Sequence, residues 1–533
     1  MNERAGQVIM IVAAGFILGL AVFFVTRDDG PSPTTVANLA ADAPTTVAPN
    51  PSNADPSNAD PSNADPGATT TTIAPTTTIT AAREVRAAGT VPGFTVGQPW
   101  GTTVGMTMFR GNPTRSFYGL GPVPDNPTVA WRYPDEQMCS PSSEGGVTRI
   151  WCGMGWTGQP ALWERPDGLT ELIFGAYDSA VHFVDAATGQ DLRPEFQTGD
   201  IIKGSVTLDP DGFPLLYFGS RDNKLRILAL DRQEPTEIWS MDANEVDGIW
   251  NDDWDSNPAI VDDVMYEGGE NGWFFAIKLN RGYDAEGNVV VDPVKLVQQP
   301  GYNEALLSNS GRNVSIESSV LVFDQRVYFS NSGGRIVGMD VSNVLNGEAP
   351  IVFDYYAGGD IDATMVADAE GMIYVSIEHE PSQMGAAEKE RNLAVGQLIK
   401  LDPYTDGEPR LWGLDLTAGS SDAGSWATPA VHDGVVYLNT HQGSLIAVDA
   451  ADGSLLWQDE VGFHSWSSPA IVDKTLVTAT CLGDVRAYSL EDPRSPELQW
   501  SLNLGGACLE ATPVVWKGSI YLGSRDGHMR ALR

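Results

Sequence analysis

Oxygen-bearing and aromatic side chains are most concentrated in one short stretch, residues 250–257, which reads WNDDWDSN. Carboxylate and amide oxygens are the ligands that Ca²⁺ takes in proteins, and aromatic faces bind sugars and cations. The stretch lacks the spacing of Asp, Asn, Gly and Glu found in an EF-hand loop, so it indicates ligand chemistry without specifying a metal.

Aromatic and acidic residues also stand just before several predicted strands elsewhere in the chain. We expect these positions to surround the mouth of a central channel, where they would hold a cation, a sugar or a peptide. Packing of the loops onto their neighbours is the alternative role, because acidic residues are abundant throughout the sequence. The candidate ligand-binding residues are Trp156, Asp252, Trp254, Asp255, Glu317, Trp426, His464, Trp466 and Glu510.

The sequence offers little for catalysis. It contains six histidines and no glycine-rich phosphate loop, serine elbow or zinc-type cysteine pair. Because histidine is the commonest general base, the composition favours binding over acid–base chemistry. No catalytic residue, metal-ligand set or cofactor is therefore assigned.

The formal net charge is −38, from 32 basic and 70 acidic residues. Such a surface repels phosphate groups, so nucleic acid is excluded as a partner. The four cysteines, an even number in an exported chain, predict two disulfides. Cys139–Cys152 and Cys481–Cys508 are plausible bridges, and the other two connectivities stay open.

These residues are positioned by a repeat of four short apolar runs separated by turn signals, clearest between Ser425 and Glu460. A unit of four antiparallel strands that recurs at a period of roughly 40–50 residues predicts an all-β, eight-bladed β-propeller, with seven blades as the alternative. We name the strands of a blade A to D from the inside outward. The blades begin near Pro160, Ser205, Pro258, Ser318, Ala363, Pro429, Pro469 and Pro513.

Residues 128–134 have the pattern of a D strand without a blade of their own, while blade 8 lacks a D strand. We predict that this strand pairs in the last blade and closes the ring, which protects sheet edges. The cysteines and the insertion 378–396, with a short predicted helix, are expected on the face that carries the B–C turns. The insertion 281–294 is expected on the opposite face.

The N-terminal part differs in composition. Residues 8–25 form an uncharged apolar run at the lower length limit of a membrane span, and no small-residue cleavage site follows it. We interpret residues 1–7 as a short cytoplasmic end, 8–25 as a single-pass transmembrane signal anchor, 26–92 as a disordered Pro/Thr/Asn/Asp-rich stalk and 93–533 as the propeller. The propeller would then stand outside the cytoplasm, tethered to the cell membrane.

The segment from Ala447 to Trp457, with its Asp-Gly turn, resembles the tryptophan-docking repeat of propellers of the pyrroloquinoline-quinone (PQQ) type. Residues 183–189 are a shorter copy, and residues 108–115 resemble the short segment at the start of these domains. The resemblance covers roughly residues 107–533 and is nearer to the non-catalytic scaffold branch, such as the outer-membrane-assembly lipoproteins, than to the quinoprotein dehydrogenases. It implies that Trp239, Trp412, Trp457 and Trp500 pack between blades.

The favoured function is a membrane-tethered, extracytoplasmic and non-catalytic binding or scaffold module for cell-envelope proteins or ligands. A dehydrogenase dependent on PQQ and Ca²⁺ is the first alternative. The resemblance implies that such an enzyme would stack its quinone on a ring formed by two adjacent cysteines, and this chain has no adjacent cysteines. A ligand-sensing ectodomain is the second alternative, and it would need a partner protein to carry a signal.

Overall fold

The computed structural model describes residues 71–72, 96–144, 146–155, 158–311, 313–417, 422–462 and 465–533. The predicted anchor at residues 8–25 and nearly all of the predicted stalk lie outside these ranges, as do the candidate site residues Trp156 and His464. Within the ranges described, no helix is long and apolar enough to cross a membrane.

Eight antiparallel sheets, each with four main strands, follow one another along the chain. The prediction of an all-β, eight-bladed propeller is confirmed, and the seven-bladed alternative is wrong. The repeat produces this architecture because every unit supplies three or four short apolar strands joined by tight turns, and each sheet buries its faces against its two neighbours.

The inner strands form the core. A strands of several neighbouring blades contact one another, and both A and B strands are almost entirely buried. The A strands are Ala161–Glu164, Thr207–Leu208, Ala259–Val261, Leu321–Phe323, Val366–Ala367, Ala430–His432, Ala470–Val472 and Val514–Trp516. The B strands are Thr170–Gly175, Leu215–Gly219, Val264–Gly268, Arg326–Ser330, Ile373–Ser376, Val435–Asn439, Thr475–Ala479 and Ser519–Gly523.

The outer strands end at the rim, where most D strands alternate between exposed and half-buried residues. The C strands are Ala180–Asp185, Lys224–Ala229, Trp273–Lys278, Arg335–Asp340, Leu398–Leu401, Ser444–Asp449, Asp484–Ser489 and Met529–Leu532. The D strands of blades 1 to 7 are Phe196–Gln197, Thr236–Asp242, Val294–Pro300, Ile351–Tyr356, Arg410–Leu414, Leu455–Glu460 and Glu497–Asn503.

Blade 8 takes its D strand from the other end of the domain. Val129–Tyr133 pairs antiparallel with Met529–Leu532, and Trp131 lies opposite Ala531. Gly119–Leu120 adds a short parallel strand beside Val514–Trp516, the A strand of the same sheet. Residues from both ends of the propeller are therefore held in one sheet.

Tryptophans of the D strands pack onto the glycine turns of neighbouring blades. Trp412 of blade 5 lies against Gly453 of blade 6, and its Nε1 donates a 3.1 Å hydrogen bond to the carbonyl of Ala450. Trp131 makes the same kind of contact with Gly189 of blade 1. Both glycines have positive φ, 77° and 72°, and a Cβ at either would stand within 3 Å of the indole ring, so glycine is required.

A buried segment, residues 107–118, fills the middle of the ring, and we name it the plug segment. Its Arg110 donates from Nη1 and Nη2 to the carbonyls of Pro469 and Pro429, each at 2.7 Å. Arg115 serves blades 3 and 4 in the same way, donating to backbone carbonyls just before their A strands. The planar guanidinium group, with five donors, is suited to bridging separate blades.

Connections between strands carry the remaining elements. The α-helices are Glu304–Ser310 and Ala386–Val395, and the 3₁₀ turns are Ala243–Glu245 and Val344–Asn346. Additional strands are Thr71–Thr72 beside the D strand of blade 3, Gly105–Met106 beside the A strand of blade 1, Cys139–Glu144 with Val147–Cys152, Gly282–Tyr283 with Val289–Val290, and Glu378–His379 with Ala423–Gly424.

Both predicted disulfides are confirmed. Cys139–Cys152 closes the base of the hairpin between residues 139 and 152, and Cys481–Cys508 joins the B–C turn of blade 7 to the segment before blade 8. Helix Ala386–Val395 lies in the B–C insertion of blade 5, where Asn392 Nδ2 donates to the carbonyl of Glu378 at 2.9 Å. These links fix the added elements to the B–C face.

Candidate functional site

The site is organised by a position that recurs in the blades, the residue four places before the first residue of strand A. We name the residues at this position the channel ring. In blades 2 to 8 they are Lys203, Asp255, Glu317, Asp362, Trp426, Trp466 and Glu510, and all are buried. The equivalent residue of blade 1, Thr157, lies outside the described residues.

Contacts join successive members of the channel ring. Lys203 Nζ contacts the carboxylate of Asp255 and lies 4.0 Å from Glu317 Oε2. Glu317, Asp362 and Trp426 line one cavity. The ring centroids of Trp426 and Trp466 are 5.2 Å apart. From blade 2 to blade 7 the channel ring therefore changes from cationic to acidic to aromatic.

A second recurring position lies two residues after strand B, in the B–C turn. We name these residues the turn ring: Tyr177, Arg221, Glu270, Ser332, Glu378, His441, Cys481 and Arg525. Several of them bind the segment that leads into the next blade. Arg221 Nε lies 2.5 Å from Asp253 Oδ2, Trp466 Nε1 donates to His441 Nδ1 at 3.1 Å, and Cys481 is bonded to Cys508.

Lys203 stands at the centre of one group of carboxylates. Its Nζ lies 3.5 Å from Glu270 Oε1 in addition to the contacts with Asp255 and Glu317. Burial lowers the pKa of Lys203, but the three carboxylates outweigh this effect and hold it well above the usual value. Burial likewise raises the pKa of Glu270, yet Lys203 brings it below the usual value. This group therefore has a cation among its carboxylates, although one lysine faces three of them.

A second group of carboxylates, at the start of blade 5, has different surroundings. One oxygen each from Asp360, Asp362 and Glu378 lie within 4.8 Å of one another. Both oxygens of Asp362 and both of Glu378 are buried and lack a hydrogen-bond donor in the described chain. Burial, followed by the neighbouring carboxylates, raises the pKa of Asp362 and of Glu378 well above the usual value. We name Asp360, Asp362 and Glu378 the blade 5 triad.

The remaining acidic residues near the channel have cationic partners or partial exposure. Glu510 is buried with Arg525 Nε 3.9 Å from its carboxylate. Asp252 is half-buried, and burial raises its pKa. Trp254 is completely buried, and its Nε1 donates to the carbonyl of Asn223 at 3.1 Å, so it packs between blades.

Five candidates from the sequence lie together in the channel ring: Asp255, Glu317, Trp426, Trp466 and Glu510. Asp252 and Trp254 fall outside that ring. The sequence reasoning missed Lys203, Arg221, Asp362 and Glu378. Spacing could have identified Lys203 and Asp362, since each stands four residues before the first residue of an A strand, like the candidates that were found.

Two features of the described residues differ from what a PQQ-type quinone site would need. The disulfides join cysteines 13 and 27 positions apart, so neither forms a ring of adjacent cysteines. The cavity bounded by Glu317, Asp362 and Trp426 has room for about one water-sized particle, far less than a three-ring quinone needs.

Comparison with known proteins gives a sequence match in the C-terminal third. Residues 365–533 match the family described as outer membrane protein assembly factor BamB. The BamB of Yersinia pestis is 26% identical over 137 residues, which are 24% of this chain and 34% of that protein's length. The chain thus matches about a third of the length of this curated relative.

Two solved structures illustrate the structural likeness. BamB from Moraxella catarrhalis is 15% identical, with 76% of this chain and 97% of that chain covered and a TM-score of 0.49. The quinohemoprotein alcohol dehydrogenase from Comamonas testosteroni is 12% identical, with 80% of each chain covered and a TM-score of 0.52. At that identity the second likeness shows the fold alone. The chain is thus an eight-bladed β-propeller whose C-terminal segment, residues 365–533, is similar in sequence to BamB.

Proposed function

We propose that this chain is a membrane-tethered, extracytoplasmic propeller that binds proteins of the cell envelope and catalyses no reaction. The name of the family it matches, an assembly factor for outer membrane proteins, supports a protein partner. The two disulfides support an oxidising location outside the cytoplasm. The apolar run at residues 8–25 supplies the proposed tether.

The observation that carries the proposal is the hairpin of residues 139–152. Its base is closed by the Cys139–Cys152 disulfide, and Ser140 Oγ donates to the carbonyl of Tyr177 at 2.8 Å. Val147, near the tip, is 54% exposed, and Ile150, two residues from Cys152, is 67% exposed. An apolar surface on a rigidly held loop is the kind of element that recognises another protein.

The base of this hairpin is anchored on the turn ring. Trp151 packs edge-on against Tyr177, with ring centroids 5.6 Å apart. The guanidinium carbons of Arg221 and Arg525 lie 5.6 Å and 5.3 Å from the Trp151 ring. Residues from blades 1, 2 and 8 thus support one hairpin on the B–C face, and this supports its use as a binding surface.

The test is site-specific photo-crosslinking in cells. A photoreactive phenylalanine analogue is placed at Ile150, and the matched control places it at Leu455, an exposed residue of the D strand of blade 6. We expect discrete adducts with an envelope protein from Ile150 and none from Leu455. Ile150→Asp should reduce co-purification of the same protein at least tenfold.

Equal labelling from both positions, or none from Ile150, would contradict the proposed docking surface. Oxidation of alcohols or sugars by the purified full-length protein, with an artificial dye, added PQQ and Ca²⁺, would contradict the non-catalytic part. The crosslinking and the oxidation assays therefore test the two parts of the proposal separately.

A further inference from the structure

We propose that the blade 5 triad, Asp360, Asp362 and Glu378, binds a divalent cation of the hard, oxygen-preferring class, and that Ca²⁺ is its natural ligand. Two of the three carboxylates come from the segment that leads into strand A of blade 5, and the third belongs to the turn ring of the same blade. The site is independent of the hairpin surface.

The first argument is the weakly compensated charge of the triad, on which Lys203 acts only through its charge on Asp362, without an ion-pair contact. In the described chain no lysine, arginine or histidine nitrogen lies within 4.0 Å of any of its carboxylates, whereas the equivalent carboxylates of blades 3 and 8 contact Lys203 and Arg525. Glu317 and Glu380 add further negative charge beside the triad. Buried carboxylates without a counter-charge are strongly unfavourable, and a cation removes that penalty.

The second argument is the state of individual oxygen atoms. Glu378 is completely buried, and neither of its carboxylate oxygens receives a hydrogen bond from the residues described. The same holds for both oxygens of Asp362, which is 2% exposed. Asp360 has one oxygen without a donor, while Asn313 Nδ2, at a long 3.4 Å, and the Ser332 side chain are its hydrogen-bonding neighbours. Buried polar atoms in proteins are nearly always paired, so these oxygens indicate a missing ligand.

The third argument is the space beside the triad. Asp362 lines the small cavity that has room for about one water-sized particle. Other oxygen-bearing residues on its wall are Glu317, Ser319, Thr364 and Thr428, and Phe109 and Trp426 supply the rest. Oxygen donors alone, without nitrogen or sulfur, select Ca²⁺ or Mg²⁺ over zinc or copper. Ca²⁺ is favoured because it accepts several carboxylates at flexible geometry and sheds its waters more readily than Mg²⁺.

The test uses the full-length protein, stripped with chelator and dialysed, in three measurements. Isothermal titration with CaCl₂ gives stoichiometry and affinity, and thermal melting is followed at increasing CaCl₂. Tb³⁺, a luminescent substitute for Ca²⁺, reports proximity to a tryptophan, because energy transfer from an indole requires a short distance, and Trp426 lies on the cavity wall. We expect saturable binding of Ca²⁺ that the triad variants lose, a melting temperature that rises with Ca²⁺ concentration, and sensitised Tb³⁺ emission that Ca²⁺ reverses.

The discriminating variants are Asp362→Asn and Glu378→Gln. Each should weaken Ca²⁺ binding at least tenfold. Because each removes a repelling charge, the chelator-treated variants should melt no lower than the chelator-treated wild type, which keeps the test valid. Glu510→Gln is the matched control, since it changes the same channel-ring position in blade 8, and it should leave Ca²⁺ affinity unchanged.

Absence of Ca²⁺ binding to the wild type would overturn the proposal, as would unchanged affinity in the double variant Asp362→Asn, Glu378→Gln. Binding of Mg²⁺ equal to that of Ca²⁺ would overturn the assignment of the ion. Loss of Ca²⁺ binding without any change in crosslinking from Ile150 would show that this site and the proposed docking surface are separate.

Discussion

Trp131 and Ala531 lie opposite each other in one sheet, although about 400 residues separate them in the chain. The indole of Trp131 also covers the Gly189 turn of blade 1 and donates to the carbonyl of Ala186 at 3.1 Å. One residue therefore connects the two ends of the propeller and the first blade to the last.

Trp131→Ala should destabilise the propeller by about 3 kcal/mol, because a packed aromatic ring and its hydrogen bond are removed. The matched control is Val129→Ala on the same strand, where the side chain is 45% exposed and little should change. Urea unfolding followed by tryptophan fluorescence measures both. Equal losses in the two variants would mean that the indole does not hold the ring closed.

Arg110→Met should cost about 3 kcal/mol, because the buried carbonyls of Pro429 and Pro469 lose their donors. Arg110→Lys should recover part of the loss, since an ammonium group cannot reach both carbonyls with the geometry of a guanidinium group. Arg132→Met, at an exposed position, is the control. The stability of each variant is measured from its chemical unfolding midpoint, provided that the m value stays constant. An Arg110→Met variant as stable as the wild type would exclude the bridging role.

Glu267→Gln should flatten the pH dependence of stability. Burial raises the pKa of Glu267 to about 8, with the charge of Arg115 opposing that effect. The proton is held more tightly in the folded state, so its stabilising contribution is complete below about pH 4 and is lost as the pH rises towards 8.

In that window the wild type should lose about 1.4 kcal/mol per pH unit relative to Glu267→Gln. Urea titrations of both proteins at pH 5.5, 6.5 and 7.5 measure the difference. Glu460→Gln, at an exposed carboxylate, should keep the wild-type slope. Parallel curves for wild type and Glu267→Gln would show that this proton is not linked to folding.

Removal of the hairpin disulfide by Cys139→Ser with Cys152→Ser should loosen the hairpin and leave the blades intact. Trypsin should then cut after the exposed Arg149 at least tenfold faster, while the melting temperature changes little. The control pair, Cys481→Ser with Cys508→Ser, should lower the melting temperature and leave cleavage at Arg149 unchanged. It releases blade 7 from the segment before blade 8, at a cost of about 2–5 kcal/mol. Unchanged cleavage at Arg149 would mean that the hairpin holds its shape without the bridge.

The blades could be predicted because their signals are local. Turn residues and short apolar runs recur at a regular spacing, so the strand type and the number of blades follow from the sequence. Lys203 and Asp362 were harder to find, because the A strands after them, Thr207–Leu208 and Val366–Ala367, have only two residues each. So short a strand gives too little pattern to fix which side chain faces the channel.

Trp254 is a candidate from the sequence that lies outside the channel ring, because the side on which a residue lies could not be predicted. Side chains of an extended segment point alternately to opposite sides, so its neighbours Asp253 and Asp255 face the ionic groups while the indole enters the space between blades. The composition of residues 250–257 showed that ligand-like groups were present. It could not assign them to sides, because that depends on the exact start of strand A.

The plug segment has a consequence for the order of events during synthesis. Arg110 leaves the ribosome more than 300 residues before Pro429 and Pro469, whose carbonyls it binds. At translation rates of about 5–20 residues per second, this wait lasts roughly 15–70 s. Meanwhile two guanidinium groups and the strand at residues 129–133 remain without their partners. The nascent chain is therefore most exposed to misassociation while its later blades are still being made, and an export route that delays folding until translation is complete would suit it.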